Sequence, residues 1–217
     1  MNLVVLGAPG AGKGTQAVFL ARHFGLDHIS TGDMLRDEMK AKTEVGVQIQ
    51  ALMDAGRLVP DEIAIKLVKP RIKEAEKQGG YILDGFPRNI YQAEILPTLT
   101  QSLDAVIQID VADSVIVERI SGRLVCPGCG ATFHEFYHPP IEKEKCDGCG
   151  VALIRREDDK TVTVLKRLAV YREMTAPIVA FYKRQGLLKS VSGVGDVQDI
   201  FNCVLAALEE KRHGHHD

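Results

Sequence analysis

The sequence predicts an α/β protein built on a doubly wound, five-stranded parallel sheet, and three observations carry that expectation. Short apolar runs alternate with longer stretches of helical periodicity, the pattern of a sheet covered by helices on both faces. Each run is mostly β-branched or aliphatic, as a strand buried on both faces requires. The first run, Asn2-Leu3-Val4-Val5-Leu6, passes directly into the glycine-rich stretch GAPGAGKGT, Gly7 to Thr15. A chain of 217 residues has room for one sizeable core with small inserts rather than for two equal domains.

Taken in order, the strands are expected at residues 3–6, 28–30, 81–83, 105–109 and 188–191. Helices are expected to start near Lys13, Thr31, Asp61, Tyr91, Asp113, Lys160 and Val197, several of them led by Asp or Thr, residue types suited to capping. Such a sheet places its ligand crevice at the C-terminal ends of the strands. Two segments read as insertions. Residues 30–59 contain no plausible strand and suggest a small helical flap. Residues 122–159, rich in Cys, Gly, Pro and aromatics and without helical period, suggest a separate small β-rich module. The core then comprises residues 1–29, 60–121 and 160–217. Gly32, Gly56 and Gly122 stand near the junctions and are candidate hinges, and the histidine-containing end, residues 213–217, reads as a frayed tail.

Composition narrows the class. An apolar fraction of 45% and a charged fraction of 26% are those of an ordinary soluble globular protein. A formal net charge of −2 supplies no general attraction to nucleic acid or to anionic membrane. No apolar run approaches a bilayer span, and the N-terminus enters a strand without a basic leader, so a cytoplasmic protein is expected. Four of the five cysteines form two C-x-x-C pairs, which fit metal ligation in a reducing compartment better than a disulfide framework.

The glycine-rich stretch is shaped for a phosphate chain. A turn of this kind between a strand and a helix lets several backbone N–H groups converge on one anion, and the helix N-terminus adds partial positive charge. Gly7, Gly12 and Lys13 satisfy the P-loop pattern G-x-x-x-x-G-K. Gly14, however, stands where Ser or Thr is usual, and Thr15 follows one residue later. A magnesium ion here would rely on nucleotide phosphates and on its waters.

The run Tyr81-Ile82-Leu83-Asp84 delivers a carboxylate to the same sheet edge, where Asp84 can orient the water shell of magnesium. Arg88, beyond a turn set by Gly85 and Pro87, is placed to grip a phosphate bidentately. Cys126, Cys129, Cys146 and Cys149 form C-x2-C-x16-C-x2-C, the spacing of two knuckles that close a tetrahedral zinc site. Four thiolates leave no open position, so that metal is expected to be structural. Cys203 lies in an apolar helical run and reads as a core residue, and His134 and His138 are not needed as ligands.

GAPGAGKGT, Ser30-Thr31-Gly32-Asp33-Met34, Leu83-Asp84-Gly85-Phe86-Pro87-Arg88 and Arg155-Arg156-Glu157-Asp158-Asp159 stand in the order of the adenylate kinases, which the chain resembles over nearly its whole length. It is similar to the long-lid variant with a metal site, found in many bacteria. The resemblance implies a P-loop NTPase fold with an AMP-binding flap and a zinc-ribbon-like lid. It implies magnesium-dependent in-line transfer from ATP to AMP giving two ADP, by a monomer.

It also implies that Gly10, Ala11, Gly12, Lys13, Gly14 and Thr15 hold the ATP phosphates. Arg119 would lie near the ATP base and phosphates, Thr132 and Phe133 would contact ATP, and the loop near Gly195 would accept a bond from its adenine amino group. Thr31, Arg36, the backbone of Arg57, Leu58 and Val59, the turn Gly85-Phe86-Pro87-Arg88, and Gln92 would hold AMP. Arg123, Arg156 and Arg167 would gather around the moving phosphoryl group.

The chemistry of the residues agrees. An AMP phosphate oxygen is already an anion at neutral pH, so transfer needs charge neutralisation and alignment rather than nucleophile activation. Two other readings remain. A kinase for a different nucleoside monophosphate would differ in the acceptor pocket, where Thr31 and Gln92 favour adenine by resemblance. A nucleic-acid-binding ATPase with a zinc ribbon as its reading head is disfavoured, because residues 122–159 hold five Lys or Arg against seven Asp or Glu.

Overall fold

The computed structural model describes residues 1–209. The tail at 213–217 lies outside the described residues. Strand β1 (Asn2–Leu6) leads into helix α1 (Lys13–Phe24), and β2 (Asp27–Ser30) leads into α2 (Thr31–Lys40) and α3 (Glu44–Asp54). Helix α4 (Asp61–Lys77) returns to β3 (Tyr81–Asp84), followed by α5 (Ile90–Leu99), β4 (Ala105–Asp110) and α6 (Asp113–Ser121). Strands β5 (Arg123–Val125) and β6 (Thr132–His134) come next, then α7 (Thr161–Val170), α8 (Pro177–Arg184), β7 (Leu188–Ser192) and α9 (Val197–Glu209).

Five strands form one sheet in the order β2-β3-β1-β4-β7, every neighbouring pair parallel. Each is one residue longer than the apolar runs predict. Strand alternation divides the core into two layers. Val4, Leu6, Ile29, Leu83 and Val106 face α4, α5 and α8, which contribute Val68, Ile72, Leu96, Ile178 and Tyr182. Leu3, Val5, Ile82, Ile107 and Ile109 face α1 and α9 through Ala17, Leu20, Phe201 and Val204. The central strand β1 is therefore buried along its length, and the loop that follows it is anchored at one end on the most rigid part of the molecule.

Three differences from the sequence reading have local causes. The caps are Ser30, Thr43 and Asn89, whose side chains accept from Asp33 N, Gly46 N and Gln92 N. Asp61 and Asp113 stand one position inside their helices, where their charge complements the macrodipole. Gly32 belongs to the first turn of α2 rather than to a junction. Cys203 is exposed on α9, because the inward stripe of that helix is Ile200, Phe201 and Val204. Between α7 and α8 the helix widens into one π-turn, Tyr171–Thr175, ahead of Pro177.

Candidate active site

The glycine-rich loop needs its glycines. Gly10 and Gly12 adopt φ of 83° and 95°, and a Cβ on Gly10 would stand 2.5 Å from Ile120 Cγ1. Gly14, the departure from the usual pattern, lies against the end of β3: a Cβ there would stand 3.2 Å from Asp84 Oδ2, so a hydroxyl-bearing side chain would crowd that carboxylate. Lys13 Nζ donates to Ala8 O at 2.8 Å. Burial pushes the Lys13 ammonium down from 10.5 to about 8. Asp84 opposes the shift, while Arg88, Arg167 and Arg123 add to it.

Asp84 itself is held below its usual range. Burial works against its charge, but the nearby His28 and the charges of Lys13 and Arg88 outweigh that cost. His28 Nε2 stands 3.8 Å from Asp84 Oδ2.

Arginines converge opposite the loop. Arg88 is pushed down to about 10, by burial first and then by Arg167, with Asp84 opposing and Arg36 adding. Its Nε donates to Gly85 O at 2.8 Å, and its backbone carbonyl accepts from Thr175 Oγ1 at 2.7 Å. Arg156 is also lowered to about 10 by burial and by Arg36 and Arg123; its Nε is buried without a partner. Arg123 Nε donates to Asp159 Oδ2 at 2.8 Å, and Arg167 Nη1 reaches Asp158 Oδ2 at 2.9 Å. Arg36 and Arg156 both approach Asp33 Oδ1, at 2.5 and 3.8 Å. In this cluster Lys13, Arg36, Arg88, Arg123, Arg156 and Arg167 outnumber Asp33, Asp84, Asp158 and Asp159. A polyanion is the ligand that relieves such an excess of partly desolvated positive charge.

One cleft joins Lys13, Arg36, Arg88, Arg167 and Asp158, while Arg123, Arg156 and Asp84 stand outside its lining. Gly7 and Lys13 line it with Thr31, Arg36, Arg57, Leu58, Val59, Gly85, Pro87, Arg88, Gln92 and Arg167. Thr31 Oγ1 is buried and has no partner. Phe86 contributes its side chain to the core instead. Arg119 sits in the last turn of α6 and does not line this cleft. Gly195, φ 128°, lies in the loop before α9. That loop is tied to the phosphate loop: a Cβ on Gly193 would stand 3.2 Å from Ala11 O, and Gln16 Nε2 donates to Val197 O at 3.0 Å.

The cysteine-bearing segment is organised separately. β5 and β6 pair antiparallel, and an isolated bridge joins Val125 to Ile154. The four Sγ atoms of Cys126, Cys129, Cys146 and Cys149 lie within 4.8 Å of one another, with Cys126–Cys149 at 3.3 Å, Cys129–Cys146 at 3.5 Å and Cys129–Cys149 at 3.7 Å. A tetrahedron with metal–sulfur bonds of about 2.3 Å has edges of about 3.8 Å, so the thiolate set fits a closed four-sulfur site. Phe133 is buried against Cys126 and Cys146, which makes its ring part of this small core, while Thr132 is exposed. His134 Nδ1 accepts from the backbone N–H groups of Phe136 and Tyr137, outside the sulfur cluster.

Sequence reasoning did not single out Asp158 and Asp159 as the carboxylates that hold the arginines, although the motif containing them was in view. Nor did it find Asp61, Asn89, His28 or Thr175. Apart from the Asn89 cap on Gln92 N, their partners lie 28 or more positions away in the chain, and no local pattern signals that.

A phosphate loop at the C-terminal edge of a parallel sheet, faced by an arginine cluster and an acceptor cleft, defines a P-loop phosphotransferase. The family model described as adenylate kinase matches residues 5–187. The adenylate kinase of Caldicellulosiruptor saccharolyticus is 50% identical over 212 residues, covering 96% of this chain and 99% of its own. Those of Thermodesulfovibrio yellowstonii and Enterococcus faecalis are each 46% identical over 215 residues, covering 97% of this chain and 100% of their own. The chain belongs to the adenylate kinase family, and its reaction is the reversible transfer of a phosphoryl group from ATP to AMP, giving two ADP.

Proposed function

We propose that the transfer takes place between the phosphate loop and the cleft, with each named residue in a distinct role. The backbone of residues 10–15 receives the ATP phosphates, and Lys13 follows the β and γ oxygens as charge moves between them. Arg88 holds the AMP phosphate, while Arg123, Arg156 and Arg167 neutralise the phosphoryl group in flight. Thr31 and Gln92 read the acceptor base. Arg119, Thr132, the strand backbone at Phe133 and the loop at Gly195 attend the ATP nucleoside. Magnesium, bound with ATP, supplies charge neutralisation and a template for the phosphates. Asp84 would meet its water shell, in keeping with a carboxylate held ionised beside Lys13.

We divide the chain into a core of residues 1–29, 60–121 and 160–217, an AMP flap of 30–59 and a lid of 122–159. Closure of flap and lid over the crevice would keep water from accepting the phosphoryl group. The lid cysteines are assigned zinc in a structural role. Among the described residues no helix is long and apolar enough to cross a membrane. A cytoplasmic monomer is the form proposed, without nucleic-acid or membrane partners.

The observation that carries this reading is the set of partly desolvated cations around one cleft that also holds the orphaned hydroxyl of Thr31. A coupled assay for ADP formed from ATP plus AMP tests it, with GMP, CMP and UMP as competing acceptors. Dominant turnover of AMP is expected. Equal turnover of all four would remove the base-reading roles of Thr31 and Gln92.

A further inference from the structure

The acceptor side of the cleft contains a hydrogen-bond circuit that none of the roles above uses. Gln92 is 2% exposed, in the first turn of α5. Its Oε1 accepts from the backbone N–H of Arg88 at 2.7 Å, and its Nε2 donates to Asp61 Oδ1 at 2.7 Å. The same Asp61 oxygen accepts from Asn89 Nδ2 at 2.8 Å, and Asn89 Oδ1 accepts from Gln92 N at 2.8 Å. Asp61 is the first residue of α4, separated only by Pro60 from the segment of Arg57, Leu58 and Val59 that lines the cleft.

A glutamine amide is two-faced: an oxygen with two lone pairs and a nitrogen with two protons. The partners here are not. A backbone N–H only donates, and the Asp61 oxygen that faces Gln92 accepts twice, from Gln92 and from Asn89. Flipping the Gln92 amide would set NH2 against N–H and oxygen against carboxylate, replacing two hydrogen bonds with two repulsions in a buried place. Its direction is therefore fixed from both ends, with one lone pair and one proton left over.

We infer that Asp61 is a positioning residue that sets the acceptor preference: by holding the Gln92 amide in one direction, it makes the cleft complementary to a 6-aminopurine and not to a 6-oxopurine. This rests on the proposed base-reading role of Gln92. Adenine offers an amino donor at position 6 beside a ring nitrogen acceptor, matching the spare lone pair and spare proton. A 6-oxopurine in the same pose offers an oxygen at position 6 and a protonated N1, the reverse pattern, and would need the flipped amide.

The test compares AMP with inosine monophosphate, a 6-oxopurine that lacks the 2-amino group of guanine, so size does not confound hydrogen-bond polarity. The ratio of kcat/KM for the two acceptors is measured in the intact enzyme and in Asp61→Ala, Asp61→Leu, Asp61→Asn and Gln92→Leu, with the Michaelis constant for ATP followed alongside. Loss of one good base contact shifts discrimination by about tenfold, so Asp61→Ala should lower the AMP preference by about that factor with the constant for ATP little changed. Asp61→Asn, which keeps an acceptor oxygen, should retain most of the preference. Asp61→Leu, close in volume, serves if the alanine variant does not fold.

A merely structural role would move both substrates together and would leave the acceptor ratio alone. If Gln92→Leu collapses the ratio while Asp61→Ala and Asp61→Leu keep it within about twofold, well inside the shift expected for a lost contact, the inference is wrong and the base-reading role stands. If Gln92→Leu also leaves the ratio unchanged, the base-reading role itself fails and takes the inference with it.

Discussion

The sheet and the cysteine-bearing segment reach order by different physics. The sheet buries apolar side chains in two thick layers, with Val4, Val68, Ile72, Leu83 and Leu96 removed entirely from solvent. Residues 122–159 have a core of Cys126, Phe133 and Cys146, with Leu124, Ala131 and Leu153 only partly covered, and Phe136 and Ile141 lie 82% and 92% exposed. So small an apolar core supplies little stability of its own. The sheet can therefore tolerate the desolvated charges gathered at its edge, whereas the cysteine segment, with so little apolar core, is the part that the proposed metal would hold in shape. On this view the phosphate loop, Asp84 and Arg88 stand on the first region, the second brings Arg123 and Arg156 to the crevice, and the proposed zinc would shape the second without entering the chemistry.

Removing the proposed metal is the harshest way to probe that contrast. Structural four-sulfur sites contribute on the order of 10 kcal/mol to local folding. Chelation should therefore strip amide-exchange protection from residues 122–159 while most of the helical circular dichroism persists. Turnover should be reduced yet measurable at low temperature and should fail earlier on heating, because an open lid frays into its surroundings.

Lys13→Met should do the opposite, since it removes a charge and not a fold. A lost contact of this kind is worth about 3 to 4 kcal/mol in the transition state, or about a hundredfold or more in kcat. The thermal midpoint should not fall, because the ammonium it replaces is already desolvated. A variant with more than half of normal turnover would remove Lys13 from the transfer step.

Arg88→Ala sharpens the comparison within the crevice. It should raise the Michaelis constant for AMP by about tenfold or more, as expected for a buried charge-assisted contact, and that for ATP far less. Equal effects on the two substrates would contradict its assignment to the AMP phosphate.

The smallest effect is on pH dependence. Free enzyme should lose the Lys13 proton as pH rises through about 8, so kcat/KM for ATP should decline there, and this inflection should be missing from Lys13→Met. The sign for stability is reversed. The burial penalty is full below pH 8, where folded and unfolded chains both hold the proton. It fades as pH rises toward 10.5, where only the unfolded chain still holds it.

What could be read from the sequence follows the same divide. The five strands, the phosphate loop and the cysteine pairs were legible because each is a local pattern, an apolar run or a fixed spacing. The flap was recognised as helical, but its second helix, α3, was not located. Gly46 sits in the first turn of α3, where a Cβ would stand 2.1 Å from Glu38 O, so the residue that lets α2 and α3 meet also blurs the helical signal. The exposure of Cys203 was misread because the run from Phe201 to Leu208 is apolar beyond the stripe that packs. The clamps of Arg123 on Asp159, of Thr175 on Arg88 and of Asp61 on Gln92 join residues 36, 87 and 31 positions apart, distances at which one sequence carries no signal.

Replacing the metal in the four-cysteine site, rather than removing it, tests the central claim most directly. Cobalt and cadmium both accept a tetrahedral set of thiolates, but they differ from zinc as Lewis acids. With the site loaded in turn by zinc, cobalt and cadmium, and with cobalt's thiolate bands confirming four-sulfur ligation, kcat for ATP plus AMP should agree within about twofold, since a closed site offers no position to substrate. A change in kcat of tenfold or more between metals, with residues 122–159 equally protected from exchange in all three forms, would contradict the division and place the metal in the chemistry.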